Sequence, residues 1–270
     1  MINLKRDTKG QLKEASGLRT RASSIYNPGQ LDSFKISRSK FSDFLTCTRC
    51  FYLDRVKGLA SPGMPGWSLN VAVDDLLKKE FDRYRENREP HPIFKEYNLN
   101  FVPYQHQSMD KWRNSLSGGI EYHDRETNII FTGGVDDIWY DLDTDQLVVI
   151  DYKAQSSSKA VNQHTYLNSV YHQGYKMQLD FYAFVLRKMG FDVSNKGYFL
   201  VCNADKSLEN FNNSLQFDTH LIEYEVQTDW IAPKITEMKD LLDCEAVPDR
   251  NPYCENCAYI EAANDLKNNE

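Results

Sequence analysis

The chain predicts a mixed α/β fold, a central sheet flanked by helices. Three observations carry that prediction. Apolar segments of strand character crowd the middle of the chain, at 129–132, 135–140 and 147–152. A helix-period segment at 174–189 separates the last of these from another apolar run at 197–202, which permits a right-handed crossover between strands. Helical patterns lie before and after this block, opening at Ser37 and covering 69–87 and 229–243.

In chain order, residues 1–36 are polar and punctuated by Gly, Ser, Pro and Asn, which predicts an extension with little regular structure. It leans basic through Lys5, Arg6, Lys9, Lys13, Arg19 and Arg21, as a solvated tail or a phosphate-touching arm would. Phe41, Phe44, Leu45 and Tyr52 then recur on one helical face, with Ser37 or Ser39 as N-cap. Residues 58–66 hold three Gly and two Pro and read as a loop. Val73, Leu76, Leu77, Phe81 and Tyr84 stripe the helix over 69–87. A Pro- and Tyr-rich connection follows, with a short helix near 108–116. Asp141 to Gln146 is a turn by composition. Residues 155–170, rich in Ser, Asn and Gln, predict a mobile loop. Met177, Phe181, Phe184, Val185 and Leu186 mark the helix that Gly190 ends. A further strand is expected at 221–226, and the tail after 243 as loop. The expected organisation is an extension at 1–36, one domain over 37–260 and a polar tail at 261–270.

With 270 residues and 41% hydrophobic content, one sizeable core can form. No run of about 18 apolar residues suggests a membrane helix. The start, MINLKRDTKG, lacks the apolar core of a secretion signal. A cytoplasmic protein is the expectation. The net charge of −7 weighs against a nucleic-acid partner, yet phosphates respond to the local field, and a carboxylate-rich metal centre adds negative charge of its own. In a reducing compartment the six cysteines point to metal or catalysis before disulfides.

Two acidic segments lie close in sequence. One is Gly133-Gly134-Val135-Asp136-Asp137; the other is Val149-Ile150-Asp151-Tyr152-Lys153. A carboxylate ending an apolar strand is costly unless paired or metal-bound. Lys153 lies two residues on, hence on the same strand face as Asp151. An antiparallel neighbour would bring Asp136 beside them. Two carboxylates and an ammonium suit phosphodiester hydrolysis: Mg²⁺ or Mn²⁺ takes oxygen ligands and activates water, while a lysine orients that water or stabilises charge. Asp136 and Asp151 are the expected ligands, with the Tyr152 carbonyl as a third oxygen. The same residues also fit a structural ion pair at a strand end.

The order Gly133-Gly-Val-Asp136, Asp151-Tyr-Lys153 and Gln178-Leu-Asp-Phe-Tyr182 resembles the motif series of RecB-like nucleases of the PD-(D/E)XK superfamily. The segment Ser37 to Leu53, ending Cys47-Thr-Arg-Cys50-Phe-Tyr-Leu53, is similar to that family's opening helix. The resemblance spans roughly residues 37–260. It implies a restriction-endonuclease-like mixed sheet flanked by helices, with the terminal segments joined by a cysteine-ligated metal site. It further implies a Mg²⁺- or Mn²⁺-dependent DNA nuclease, an exonuclease, working with protein partners in recombination, repair or CRISPR adaptation. In that resemblance Gln178 and Tyr182, one helical turn apart, shape the site beside Asp136, Asp151 and Lys153; taken alone they are ordinary helix positions. Many relatives carry a histidine where this chain has Asp74, in Asn70-Val-Ala-Val-Asp74. A carboxylate there can ligate the metal, or it can mark a weakened member that binds DNA as a scaffold. Asp75 and Glu80 are the rivals nearby.

Cys47-Thr-Arg-Cys50 and Cys254-Glu-Asn-Cys257 together supply four thiolates, as structural zinc or an iron–sulfur cluster requires. Iron–sulfur relatives use one early and three late cysteines. Here the count is two and two, with Cys244 a lesser substitute. A [4Fe-4S] cluster is the first expectation, Zn²⁺ the alternative, and an empty site the third. Cys202, in an apolar run, reads as core. Tyr166, Tyr171 and Tyr175 could stack on single-stranded bases or pack locally.

Overall fold

The computed structural model describes residues 4–63 and 66–268. Part of the expected 58–66 loop, Met64 and Pro65, and residues 1–3 and 269–270 of the expected extension and tail lie outside the described residues.

Beyond a short 3₁₀ turn, the chain runs β1 (Phe34–Ser37), α1 (Arg38–Thr46), α2 (Thr48–Arg55), α3 (Ser68–Asn87), α4 (Pro92–Glu96), β2 (Phe101–Pro103), α5 (Met109–Arg113), β3 (Ile120–Asp124) and β4 (Ile129–Gly133). It continues β5 (Asp137–Asp141), β6 (Gln146–Gln155), α6 (Gln163–Leu167), a second 3₁₀ turn, α7 (Gln173–Lys188), β7 (Lys196–Ala204), β8 (Phe217–Glu225), α8 (Ile231–Asp243) and α9 (Glu255–Asn268). Two sheets form, one of order β1-β4-β3 and one of order β2-β5-β6-β7-β8. This is the mixed α/β architecture the sequence predicts. Among the described residues no helix is long and apolar enough to cross a membrane.

The chain divides into two compact units. One comprises Met1–Gly66, His123–Ile130 and Ala232–Glu270; the other comprises Trp67–Tyr122 and Phe131–Ile231. The second unit contains the five-stranded sheet. β5 pairs antiparallel with β6, and β6 pairs parallel with β7 across the crossover helix α7. Alternation along β6 sends Val148, Ile150 and Tyr152 into a core with Phe81, Phe94, Phe101, Trp139, Tyr198 and Leu200. Trp139 anchors it, stacked on Phe81 at 5.2 Å and edge-on to Phe94 at 4.6 Å. Val149 and Asp151 face the opposite side. Leu179, Phe181, Tyr182, Ala183, Val185 and Leu186 of α7 are buried.

In the first unit α1 and α2 bury Phe41, Phe44 and Phe51. The single helix expected from Ser37 breaks at Cys47. That residue adopts φ −156°, and its sulfur accepts from the Cys50 N–H, capping α2. Ser37 caps α1 as expected. Tyr26 donates to Asp243 at 2.6 Å and Tyr52 to the Cys244 carbonyl at 2.8 Å.

Other expectations need correction. The 155–170 loop contains α6, and the tail after 243 contains α9, which runs into the expected polar tail as far as Asn268. Strands β1, β2 and β3 and helix α4 were not anticipated, and Leu76, placed on the buried stripe of α3, is 63% exposed.

Candidate active site and cysteine cluster

The candidate catalytic residues all belong to the second unit, around the centre of the sheet. Asp151 is the sixth residue of β6 and is fully buried. Its Oδ1 accepts from Gln178 Nε2 at 2.7 Å, and the same amide donates to Tyr182 Oη at 3.2 Å. Helical spacing on α7 therefore places both motif residues at the strand face that carries Asp151. The Lys153 ammonium forms an ion pair with Asp151 Oδ2 and lies 4.7 Å from the centre of the Tyr175 ring. Asp136, in the turn just before β5, takes the Tyr152 backbone N–H on Oδ2 at 2.9 Å. The antiparallel hairpin thus brings Asp136, Asp151 and Lys153 together.

The charges in this group are strongly coupled. Burial, then the neighbouring Asp151 carboxylate, pushes the Asp136 carboxyl up to about 7, and Lys153 and Lys78 only partly offset this. Burial alone would pull the Lys153 ammonium down. Asp151 and Asp136 outweigh it and hold the ammonium above its ordinary value. Asp151 Oδ2 is buried and has no hydrogen bond beyond that ion pair. An added cation would relieve the crowded carboxylates, so the donor set fits a hard divalent ion.

Asp74, on α3, is raised by burial and then by Asp136, so it faces the same charge. Lys78 holds it at 2.6 Å, one helical turn away. Asp74 does not close with Asp136 and Asp151 into a three-ligand group; among the described residues the four cysteines alone do so. Of its rivals, Asp75 is exposed and Glu80 is occupied by His91 at 3.0 Å.

A supporting network went unread in the sequence. Asp137, adjacent to Asp136, points to the other side of the hairpin and is fully buried. It accepts from Arg85, from Arg113 at 2.8 Å and from the Tyr152 hydroxyl at 2.8 Å. The doubled aspartate was the available signal. Arg85 and Arg113 clamp the hairpin through Asp137, and Tyr152, whose carbonyl is a candidate ligand, joins the network through its hydroxyl.

The tyrosines separate. Tyr166 is buried, Tyr175 lies under Lys153, and Tyr171 is 86% exposed. Cys202 is buried on β7, as read.

In the first unit, Cys47 and Cys50 at the start of α2 meet Cys254 and Cys257 at the start of α9. The ligand atoms of all four lie within 4.8 Å of one another. Cys47–Cys257, Cys50–Cys254 and Cys50–Cys257 are each 3.6 Å apart. Burial and the neighbouring sulfurs push the Cys50 thiol well up, an unfavourable gathering that a bound cation would reverse.

A mixed sheet whose central hairpin presents two carboxylates and a lysine suits phosphodiester cleavage. The profile of the PD-(D/E)XK nuclease superfamily matches residues 69–262, and the chain belongs to that superfamily. Its members use divalent metals. A solved structure named "Putative exonuclease", from Eubacterium rectale, is similar at 14% identity and a TM-score of 0.40, covering 83% of this chain and 87% of that one. No curated protein matches the sequence.

Proposed function

We propose that the chain is a Mg²⁺- or Mn²⁺-dependent deoxyribonuclease of the RecB-like group, an exonuclease acting in the cytoplasm in recombination, repair or CRISPR adaptation. One observation carries this reading: Asp136, Asp151, Lys153 and Gln178 converge on one strand pair, two buried carboxylates with a single ammonium between them. Asp136, Asp151 and the Tyr152 carbonyl would hold the cation, with Asp74 reaching it on release from Lys78. When bound there, a divalent cation would supply an activated water and neutralise the phosphate. Gln178 orients Asp151 and is itself set by Tyr182. Lys153, freed from Asp151, supplies positive charge to the phosphate.

Asp151→Ala and Lys153→Ala test this on single- and double-stranded DNA with Mn²⁺. Each should slow cleavage by a factor of about 10³ while the circular dichroism stays unchanged. Wild-type protein that leaves both substrates uncut would sink the reading. The Asp74–Lys78 pair favours one alternative, a DNA-binding scaffold with little catalysis. A salt-dependent mobility shift without cleavage would establish it.

For the cysteine cluster we infer a single Zn²⁺ in place of the [4Fe-4S] cluster first expected. Zn–S bonds of about 2.3 Å set four sulfurs about 3.8 Å apart, close to the 3.6 Å of three pairs here and within the 4.8 Å that bounds all four. A cube of four irons and four sulfides holds its thiolates farther apart. Anaerobically purified protein should be colourless and carry stoichiometric zinc. A brown sample containing iron would overturn this.

A further inference from the structure

Helix α6 holds one side chain that the proposed chemistry leaves unused. Asn162 caps the helix, accepting from the Thr165 N–H at 3.0 Å while Thr165 Oγ1 accepts from the Asn162 N–H at 3.2 Å. This fixes Tyr166. Its ring lies 5.5 Å from Phe199 and 4.2 Å from His172, and its carbonyl accepts from His172 Nδ1 at 2.9 Å. Phe199 is the register partner of Asp151 across β6 and β7, so the two share a sheet face. Tyr166 therefore stands over the immediate neighbour of the candidate catalytic carboxylate.

The residue is 2% exposed, and its hydroxyl has no hydrogen-bond partner among the described residues. Packing alone would favour phenylalanine, because a buried hydroxyl without a partner is destabilising. An orphaned polar group beside a reactive site calls for a partner that arrives later.

We propose that Tyr166 contacts substrate, its hydroxyl donating a hydrogen bond to a non-bridging oxygen of the DNA phosphate received by Asp136, Asp151 and Lys153. The inference rests on the nuclease reading. Burial, then the charge of Asp151, then Tyr175, drives the phenol well above its ordinary range. It stays a neutral donor at every working pH, suited to an anionic oxygen and unable to add negative charge. Asp151 Oδ1 is already taken by Gln178, and Oδ2 by the Lys153 ion pair. The hydroxyl is thus left for the substrate.

Tyr166→Phe, assayed at saturating Mn²⁺, tests the contact. The variant should lose about 10- to 100-fold in kcat without a lower melting temperature, since it deletes only an unpaired group. Phosphorothioate DNA supplies the readout that packing would not move. Sulfur at the contacted oxygen should slow the wild type for one diastereomer, and the variant should lose that stereochemical preference. Cleavage within twofold of wild type overturns the proposal. So does a loss present at limiting Mn²⁺ and absent at saturation, which would mean that Tyr166 acts through the metal ligands. A wild type that cuts no DNA at all fails the nuclease reading first, and this inference with it.

Discussion

The carboxylate site and the cysteine cluster are both candidate metal sites, built on opposite principles. Each carboxylate already has partners in the protein: Asp136 takes a backbone N–H, Asp151 takes Gln178 and Lys153, and Asp74 takes Lys78. Lys153 stands in for part of the positive charge a cation would bring. The sheet beneath is closed by its own apolar core and by the Asp137 clamp. The cysteine cluster has such support on one side only, from α2, which buries Phe51 and Tyr52. Its sulfurs face one another, and α9 buries little besides Cys257. On the proposed reading, the carboxylate site keeps its fold without an ion, whereas a metal at the cysteines would hold α9 in place.

The largest effect should therefore follow removal of the thiolate metal. Replacing Cys254 and Cys257 with Ser, or stripping the metal with a strong chelator, should release α9 and lower the thermal stability of the first unit. Structural zinc binding is worth on the order of 10 kcal/mol, although part of that is lost to rearranged thiols. Removing Mg²⁺ or Mn²⁺ should stop cleavage and leave melting nearly unchanged. Calorimetry with and without each chelator separates the two. Equal shifts would break the contrast.

The same contrast decides what the sequence reveals. The carboxylate site is legible because a strand places its residues by simple alternation, and the apolar run leading into Asp151 announces both strand and cost. The Cys47–Cys50 and Cys254–Cys257 pairs are legible from spacing alone. What surrounds them is harder to read. Helix α9 has too weak an apolar stripe to announce a helix, since only Cys257 is buried. Helix α6 hides behind Asn162 and Thr165, which read as loop composition and serve as a capping box. The break at Cys47 leaves the spacing of Phe41, Phe44 and Tyr52 undisturbed. Strand β2 is three residues long and ends on Pro103, below what periodicity can detect. The Arg85–Asp137–Arg113 clamp joins residues far apart in sequence, so the doubled aspartate is its one local mark.

That clamp provides the next prediction. Asp137→Asn leaves Arg85 and Arg113 buried, with Asp82 as the carboxylate they still share. Leaving buried charge short of its partner should cost about 3 kcal/mol in urea unfolding. Cleavage should fall less than for Asp151→Ala, because Asp136 and Asp151 remain. A loss of activity as complete as for Asp151→Ala, with stability intact, would show that the clamp belongs to the chemistry and not to the scaffold.

The smallest effect belongs to the first unit, where Asp54 gives a fold contribution that needs no metal. It is buried among Arg19, Arg55 and Lys40. Burial alone would raise its carboxyl, but these cations outweigh it and hold the group down at about 2. The unfolded chain, with an ordinary aspartate, takes up the proton first as the medium is acidified. The contribution is therefore complete above about pH 4 and is lost as the pH falls toward about 2. The shift corresponds to about 2 kcal/mol. Asp54→Asn should remove that amount at neutral pH and flatten the acid limb of the stability curve. The measurement follows both proteins from about pH 2 up to neutrality, and the deciding comparison is at neutral pH, where the contribution is complete. If the variant matches wild type there, the arginines gain nothing from Asp54 beyond what water provides, and the thiolate metal carries more of the first unit's stability.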